Sequence, residues 1–198
     1  MSGRSKSEEA LAGLLADAGE ALRGVNVGSL ARAVDALGAV RARGGIIYTA
    51  GNGGSAATAS HLALDLQKAA GVRAVSLADN PGLITAWAND TSFERVFAGQ
   101  LEVLGRETDG VIVISVSGSS PNLIALLDVA RAKGIPSVGL LGRDGGPAAA
   151  LVDVPVVVPS SDYGWVESVH TVLHHVLTYA LRDAAAGAQI PRRPARAV

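Results

Sequence analysis

The chain has no cysteine, which excludes disulfides, thiolate metal sites and cysteine nucleophiles together. Charge of neither sign dominates. Seventeen Lys and Arg against eighteen Asp and Glu leave a formal net charge of -1, so bulk attraction to nucleic acid or to an anionic membrane is not expected. Long hydrophobic runs are missing too: a stretch such as Gly110 to Val116 is far short of the roughly 18 residues a membrane span requires. No charged segment followed by an apolar run opens the sequence, and a cytoplasmic protein is expected. Aromatics are scarce at 4%. Hydrophobic residues nevertheless make up 48% of 198, with 24 Gly and much Ala, which predicts one compact domain whose core is built from small aliphatics.

Periodicity divides the chain into a helical pair over residues 1–43, an α/β core with a C-terminal helix over 44–186, and a disordered tail over 187–198. Met1 to Lys6 reads as a fraying end. Leu11, Leu14, Leu15, Ala18 and Leu22 then predict a helix over Ser7 to Arg23, and Leu30 to Val40 a second that stops at Gly44-Gly45. Apolar runs predict strands at Ile46 to Tyr48, Ala74 to Leu77, Val111 to Ser115, Ser137 to Leu140 and Val154 to Val158. Helices are expected from the glycine turn at Gly51 to about Ala69, over Pro81 to Ala88, over Pro121 to Lys133 and over Trp165 to Ala186. Continuous Val/Ile/Leu strands alternating with helices imply a five-stranded parallel sheet covered on both faces, a three-layer, doubly wound α/β sandwich.

In such sheets ligands bind beyond the carboxyl ends of the strands. The loop Ser115-Val116-Ser117-Gly118-Ser119-Ser120 carries four hydroxyls and runs into Pro121, with Ser120 as the expected N-cap. Serine hydroxyls around a helix N-terminus suit an anion of phosphate size; an ordinary hydrophilic turn is the plainer reading. Three glycines in Gly51-Asn52-Gly53-Gly54-Ser55 would let a ligand approach the backbone, or serve only a tight crossover. His61 and Asp65 are four apart on a helix and share a face. Glu167, His170 and His174 fall at i, i+3 and i+7, with His175 turned about 100° away. A histidine on an apolar face is more often a core residue than a ligand, yet without thiols a site of imidazole and carboxylate suits Zn²⁺ or another borderline divalent ion. Asp90 is either the cap of a following helix or a partner for a sugar hydroxyl, and Arg143-Asp144-Gly145-Gly146 reads as a turn.

The linked motifs, Gly51 to Ala57, His61 with an acid four residues on, Thr85 to Asp90, Ile114 to Asn122 and Glu167 to His175, resemble the sugar isomerase (SIS) domain, and within it the phosphoheptose isomerases. That resemblance implies an aldose-ketose isomerase acting on sedoheptulose 7-phosphate or a close heptose or octose phosphate. It also implies a homotetramer with active sites between subunits and one Zn²⁺ per site. Substrate binding is implied for Asn52, Gly53, Ser55, Asn89, Asp90, Ser115, Ser117, Ser119 and Ser120. The metal ligands implied are His61, Asp65, Glu167 and His175, with Asp65, Glu167 and His175 in catalysis. Spacing alone prefers His174 at the last helix, whereas the family pattern falls on His175.

The sequence departs from that pattern. Asp65 stands where the family has Glu, Glu167 where it has Gln, and Val116 where it often has Thr. The Arg common before the Gln is replaced by Trp165-Val166. A shift in substrate is the expected meaning of these changes. The competing reading is a non-catalytic SIS protein resembling the family's regulator of replication initiation, which binds a protein partner; that branch lacks the histidine found here at His175.

Overall fold

The computed structural model describes residues 5–185; the expected tail lies outside them. Two helices come first, α1 (Lys6–Arg23) and α2 (Val27–Ala42). Residues 1–4 of the expected fraying end lie outside the described residues, and its Ser5 caps α1: the Ser5 hydroxyl accepts from Glu8 N, and the Glu8 carboxylate takes the Ser5 N–H. Asn26 starts α2 in the same manner, its side chain accepting from Ser29 N at 2.9 Å.

Five strands follow, β1 (Ile47–Gly51), β2 (Ala74–Ser76), β3 (Gly110–Ser115), β4 (Ser137–Gly142) and β5 (Val154–Val158). They form one all-parallel sheet in the order β2-β1-β3-β4-β5, which matches the doubly wound sandwich the alternation predicts. Strand residues alternate between two cores. Ile47, Ile112 and Ile114 pack with α2, with α3 (Gly54–Lys68) and with α8 (Tyr163–Ala185). Tyr48, Val111 and Val113 pack on the other face with α5 (Arg95–Leu104) and α6 (Pro121–Ala132). Two further helices, α4 (Pro81–Asp90) and the short α7 (Gly146–Ala149), complete the order.

The sequence reading contains no counterpart of α5. It buries Val96, Phe97 and Leu101, and its buried Gln100 is satisfied by the carbonyls of Leu77 and Val96. Asp90 is in the last turn of α4 rather than a cap, since α5 begins at Arg95 with Glu94 as its N-cap and no side-chain cap bond. Among the described residues no helix is long and apolar enough to cross a membrane.

The strand order reverses between β1 and β3, so the loops leaving these neighbours diverge to opposite faces and open a crevice.

Candidate active site

The loops after β1 and β3 meet at that crevice through a reciprocal amide pair. Asn52 Nδ2 donates to Asn122 Oδ1 at 2.9 Å, and Asn122 Nδ2 returns a bond to Asn52 Oδ1 at 2.8 Å. The expected substrate contact of Asn52 is thus engaged in holding the glycine turn against the start of α6. Gly51 and Gly118 make the approach feasible. A Cβ on Gly51 would stand 2.5 Å from the Ser55 carbonyl oxygen, and one on Gly118, at φ +61°, only 1.9 Å from the carbonyl of Gly145.

Between these loops lies a cavity of about 120 Å³ lined by Asn52, Ser55, Ser115, Ser117, Ser120, Tyr163 and Glu167. The Ser115 hydroxyl accepts from Gly118 N at 3.0 Å, which shapes the loop, and Ser119 donates to Ser117 Oγ at 3.0 Å. Ser120 is the N-cap of α6 but makes no side-chain cap bond, so its hydroxyl is free for a ligand. Gly53 is the N-cap of α3. Asn89 and Asp90 are exposed at the end of α4 and bonded to each other, away from the cavity lining.

Among the described residues no cation lines this cavity. The guanidinium of Arg143 stacks 5.3 Å over the Tyr163 ring on its rim. Arg143 is also the one non-glycine residue with positive φ, +57°, among the described residues.

The second group of polar side chains sits where α3 and α8 pack together. Gly54 abuts the Glu167 carboxylate, and Asp65 abuts His174 and His175, so the two helices run parallel. Asp65 Oδ2 lies 3.5 Å from His61 Nε2, 3.3 Å from His174 Nε2 and 3.6 Å from His175 Nε2. One donor atom from each of the four falls within 4.8 Å of all the others. A tetrahedral ion with ligand bonds of about 2.0–2.2 Å has edges about 1.63 times longer, or about 3.3–3.6 Å, so the three separations from Asp65 fit Zn²⁺.

The rings are held for such a role. His175 Nδ1–H donates to the Thr171 carbonyl at 2.9 Å, which leaves its Nε2 lone pair facing Asp65. His174 stacks on His175 with centroids 3.8 Å apart and tilts against His61 at 4.5 Å. Burial, reinforced by the neighbouring imidazoles and only partly offset by Asp65, pushes the His174 pKa down to about 4, so its ring is neutral.

Glu167 stands apart from this group. It precedes the two histidines by seven and eight residues, about 10–12 Å along the helix axis at 1.5 Å per residue. Within one chain the four expected ligands are therefore not assembled: His61, Asp65 and His175 are together, His174 joins them, and Glu167 lies at the serine cavity. Nor does the stripe of Glu167, His170 and His174 form one site. His170 is fully buried, and burial pushes its pKa down to about 4; the Leu141 backbone offsets this in part, though neither ring nitrogen makes a hydrogen bond of ordinary geometry.

Residues 15–142 match the SIS domain model. The chain is 36% identical over 178 residues to the phosphoheptose isomerase of Burkholderia pseudomallei, covering 87% of each protein. It is 41% identical over 162 residues to that of Paramagnetospirillum magneticum, covering 78% of this chain and 81% of the relative. In three dimensions it resembles phosphoheptose isomerase from Neisseria gonorrhoeae with a TM-score of 0.83 and 31% identity, over 89% of this chain and 98% of that one.

Proposed function

Because the chain belongs to the phosphoheptose isomerases of the SIS-domain family, we propose that it converts sedoheptulose 7-phosphate, or a close heptose or octose phosphate, into the corresponding aldose phosphate. The observation that carries this reading is the serine-lined cavity at the switch point with a carboxylate in its wall. Hydroxyls of Ser55, Ser117 and Ser120 and the backbone N–H of Asn122, the first that α6 offers after Pro121, hold the phosphate, and the positive end of the helix supplies the charge complement that no lining cation provides.

Isomerisation needs a base that takes a proton from C1 of the ketose and returns one to C2 through an enediol, with no net change in composition. Glu167 is assigned this role, since it lines the serine cavity, whereas Asp65 is held among three imidazoles of its own chain. His175, with its Nδ1–H held by the Thr171 carbonyl, offers its one free nitrogen, Nε2, to the metal and itself carries no substrate proton. A divalent ion such as Zn²⁺ held by His61, Asp65 and His175 would polarise the carbonyl oxygen.

Because Glu167 and the imidazole group are separated along α8, the complete site is composite, with Glu167 and the serine cavity of one copy meeting the imidazoles of another. Three observations support assembly as a homotetramer. Leu11, Leu14 and Leu15 of α1 are exposed. His61 borders an open groove with Leu64 and Val75. The long α8 leaves Val172 and Val176 partly uncovered. The same reading assigns the protein to the cytoplasm, where a sugar-phosphate substrate would be found. The regulatory alternative is not favoured, since the relatives it matches are named as isomerases.

The test is incubation of the purified protein with sedoheptulose 7-phosphate, with and without Zn²⁺, following aldose formation. Conversion is expected; its absence under both conditions refutes the reading. Light scattering should give about four times the 20.0 kDa chain mass.

A further inference from the structure

We infer that Arg143 is a substrate-binding residue, the cation that meets the phosphate at the mouth of the serine cavity and that the cavity lining itself lacks. The inference rests on the reading of that cavity as the phosphate site. Charge balance calls for such a group. A phosphate dianion would enter a space whose wall already holds the Glu167 carboxylate, and the start of α6 offers only about half a unit of positive charge. Serine hydroxyls add donors but no charge.

The backbone delivers Arg143 to this mouth. Arg143 opens the turn between β4 and α7, and that turn is seated on the serine loop. Ala148 N donates to the Gly118 carbonyl at 2.9 Å, and a Cβ on Gly146 would run into the carbonyl oxygen of Ser117. On its other side Arg143 N donates to the Ser160 carbonyl at 3.0 Å, which ties the turn to the segment leading into α8. Tyr163, the first residue of α8, lines the cavity, and the Arg143 guanidinium lies over its ring. One aromatic ring therefore separates the charge from the cavity.

Among the described residues Arg143 forms no ion pair. The acids next to it and next to Tyr163 in the chain are engaged elsewhere: Asp144 accepts from Gly146 N at 3.0 Å, and Asp162 from Trp165 N at 2.9 Å. A ring face is a weak partner for an exposed cation. The guanidinium can leave it for the phosphate, to which its planar fork makes two charged hydrogen bonds. The backbone at φ +57° points the same way. A conformation disfavoured for any residue with a Cβ is kept where glycine would be unstrained, and such outliers gather at ligand sites.

Calorimetric titration of inorganic phosphate into the full-length protein, paired with steady-state kinetics on sedoheptulose 7-phosphate, tests the assignment. Arg143→Gln keeps the strained backbone and removes the charge. Verified as folded by circular dichroism, it should bind phosphate about 10–100-fold more weakly, the usual worth of a charged hydrogen bond. KM should rise by a similar factor with kcat within about twofold, because the phosphate lies remote from the carbons that react. Arg143→Gly, in which the strain is absent, should show the same loss, and Arg143→Lys, which restores charge without the fork, should recover most of it. Wild-type phosphate affinity in Arg143→Gln, an equal loss in Arg143→Lys, or a fall in kcat at unchanged KM would overturn the inference and leave the serine cavity and the isomerase reading standing. Failure of the wild-type protein to bind phosphate, or undiminished binding after Ser117→Ala and Ser120→Ala together, would instead remove the phosphate site on which the inference rests.

Discussion

Gly54 offers a way to move one carboxylate without touching it. A Cβ built on Gly54 falls 2.5 Å from Glu167 Oε1 and 2.8 Å from both Cδ and Oε2, whereas ordinary contact begins near 3.4 Å. Gly54→Ala must therefore displace the carboxylate by about 0.9 Å. The obstacle is the far end of a flexible side chain and Gly54 is the first residue of α3, so the fold should bear the change at no cost or with a slight gain in helix propensity. A misplacement of about 1 Å at a reacting group costs on the order of 10²-fold in rate, and removal of a general base about 10²–10⁴-fold. The expectation is a kcat lowered about 10²-fold, KM changed little, and a denaturation midpoint at or above that of the wild type. Glu167→Gln sets the lower bound in the same assay. Gly51→Ala is the contrast: its Cβ meets the Ser55 backbone, which cannot swing away, so stability should fall by about 1–3 kcal/mol. Wild-type kcat in a folded Gly54→Ala enzyme would refute the placement of Glu167 as base.

Three other outcomes follow from the same geometry. Replacing both Ser117 and Ser120 by Ala should raise KM with kcat nearly unchanged, because phosphate contacts are made alike in ground and transition states; unaltered affinity would exclude the serine cavity as the phosphate site. Arg143→Gly should relieve a left-handed conformation that costs non-glycine residues about 1–2 kcal/mol, giving equal or greater stability in urea, while loss of the cation beside Tyr163 raises KM. His170 ordinarily titrates near 6.5 but near 4 in the fold, so the unfolded chain binds the extra proton between these values and stability falls as pH drops through that window. By pH 5 His170 should account for a loss of about 2 kcal/mol at roughly 1.4 kcal/mol per unit; His174, also held near 4, adds its own loss, so His170→Gln should lessen the pH dependence by about that 2 kcal/mol without abolishing it in paired urea titrations at pH 7.5 and 5.

The parallel sheet was legible because its strands are uninterrupted apolar runs closed by glycine, serine or proline. Helix α5 was not, and its physical chemistry explains why. Glu94 caps it without a side-chain bond, no proline marks its first turn, and Gln100 breaks the apolar face that Val96, Phe97 and Leu101 would otherwise announce. At the site, His61 and Asp65 could be paired because one helical turn relates them. The partnership of His174 with His175 could not be read from spacing. Two consecutive residues diverge by about 100° around their own helix, and only the way α8 lies along α3 brings both Nε2 atoms to one oxygen. Glu167 matched a family position, but its neighbour Gly54 is a tertiary fact to which no local pattern points.

The amide pair between Asn52 and Asn122 has a thermodynamic consequence. It fastens the loops on both sides of the strand reversal directly to one another. The arriving anion finds its donors already in place, and little backbone freedom remains to be lost. Calorimetry of inorganic phosphate binding should accordingly show a heat-capacity change near zero and no large entropic opposition. Asn122→Ala, which frees the glycine turn, should turn the same titration into one dominated by ordering.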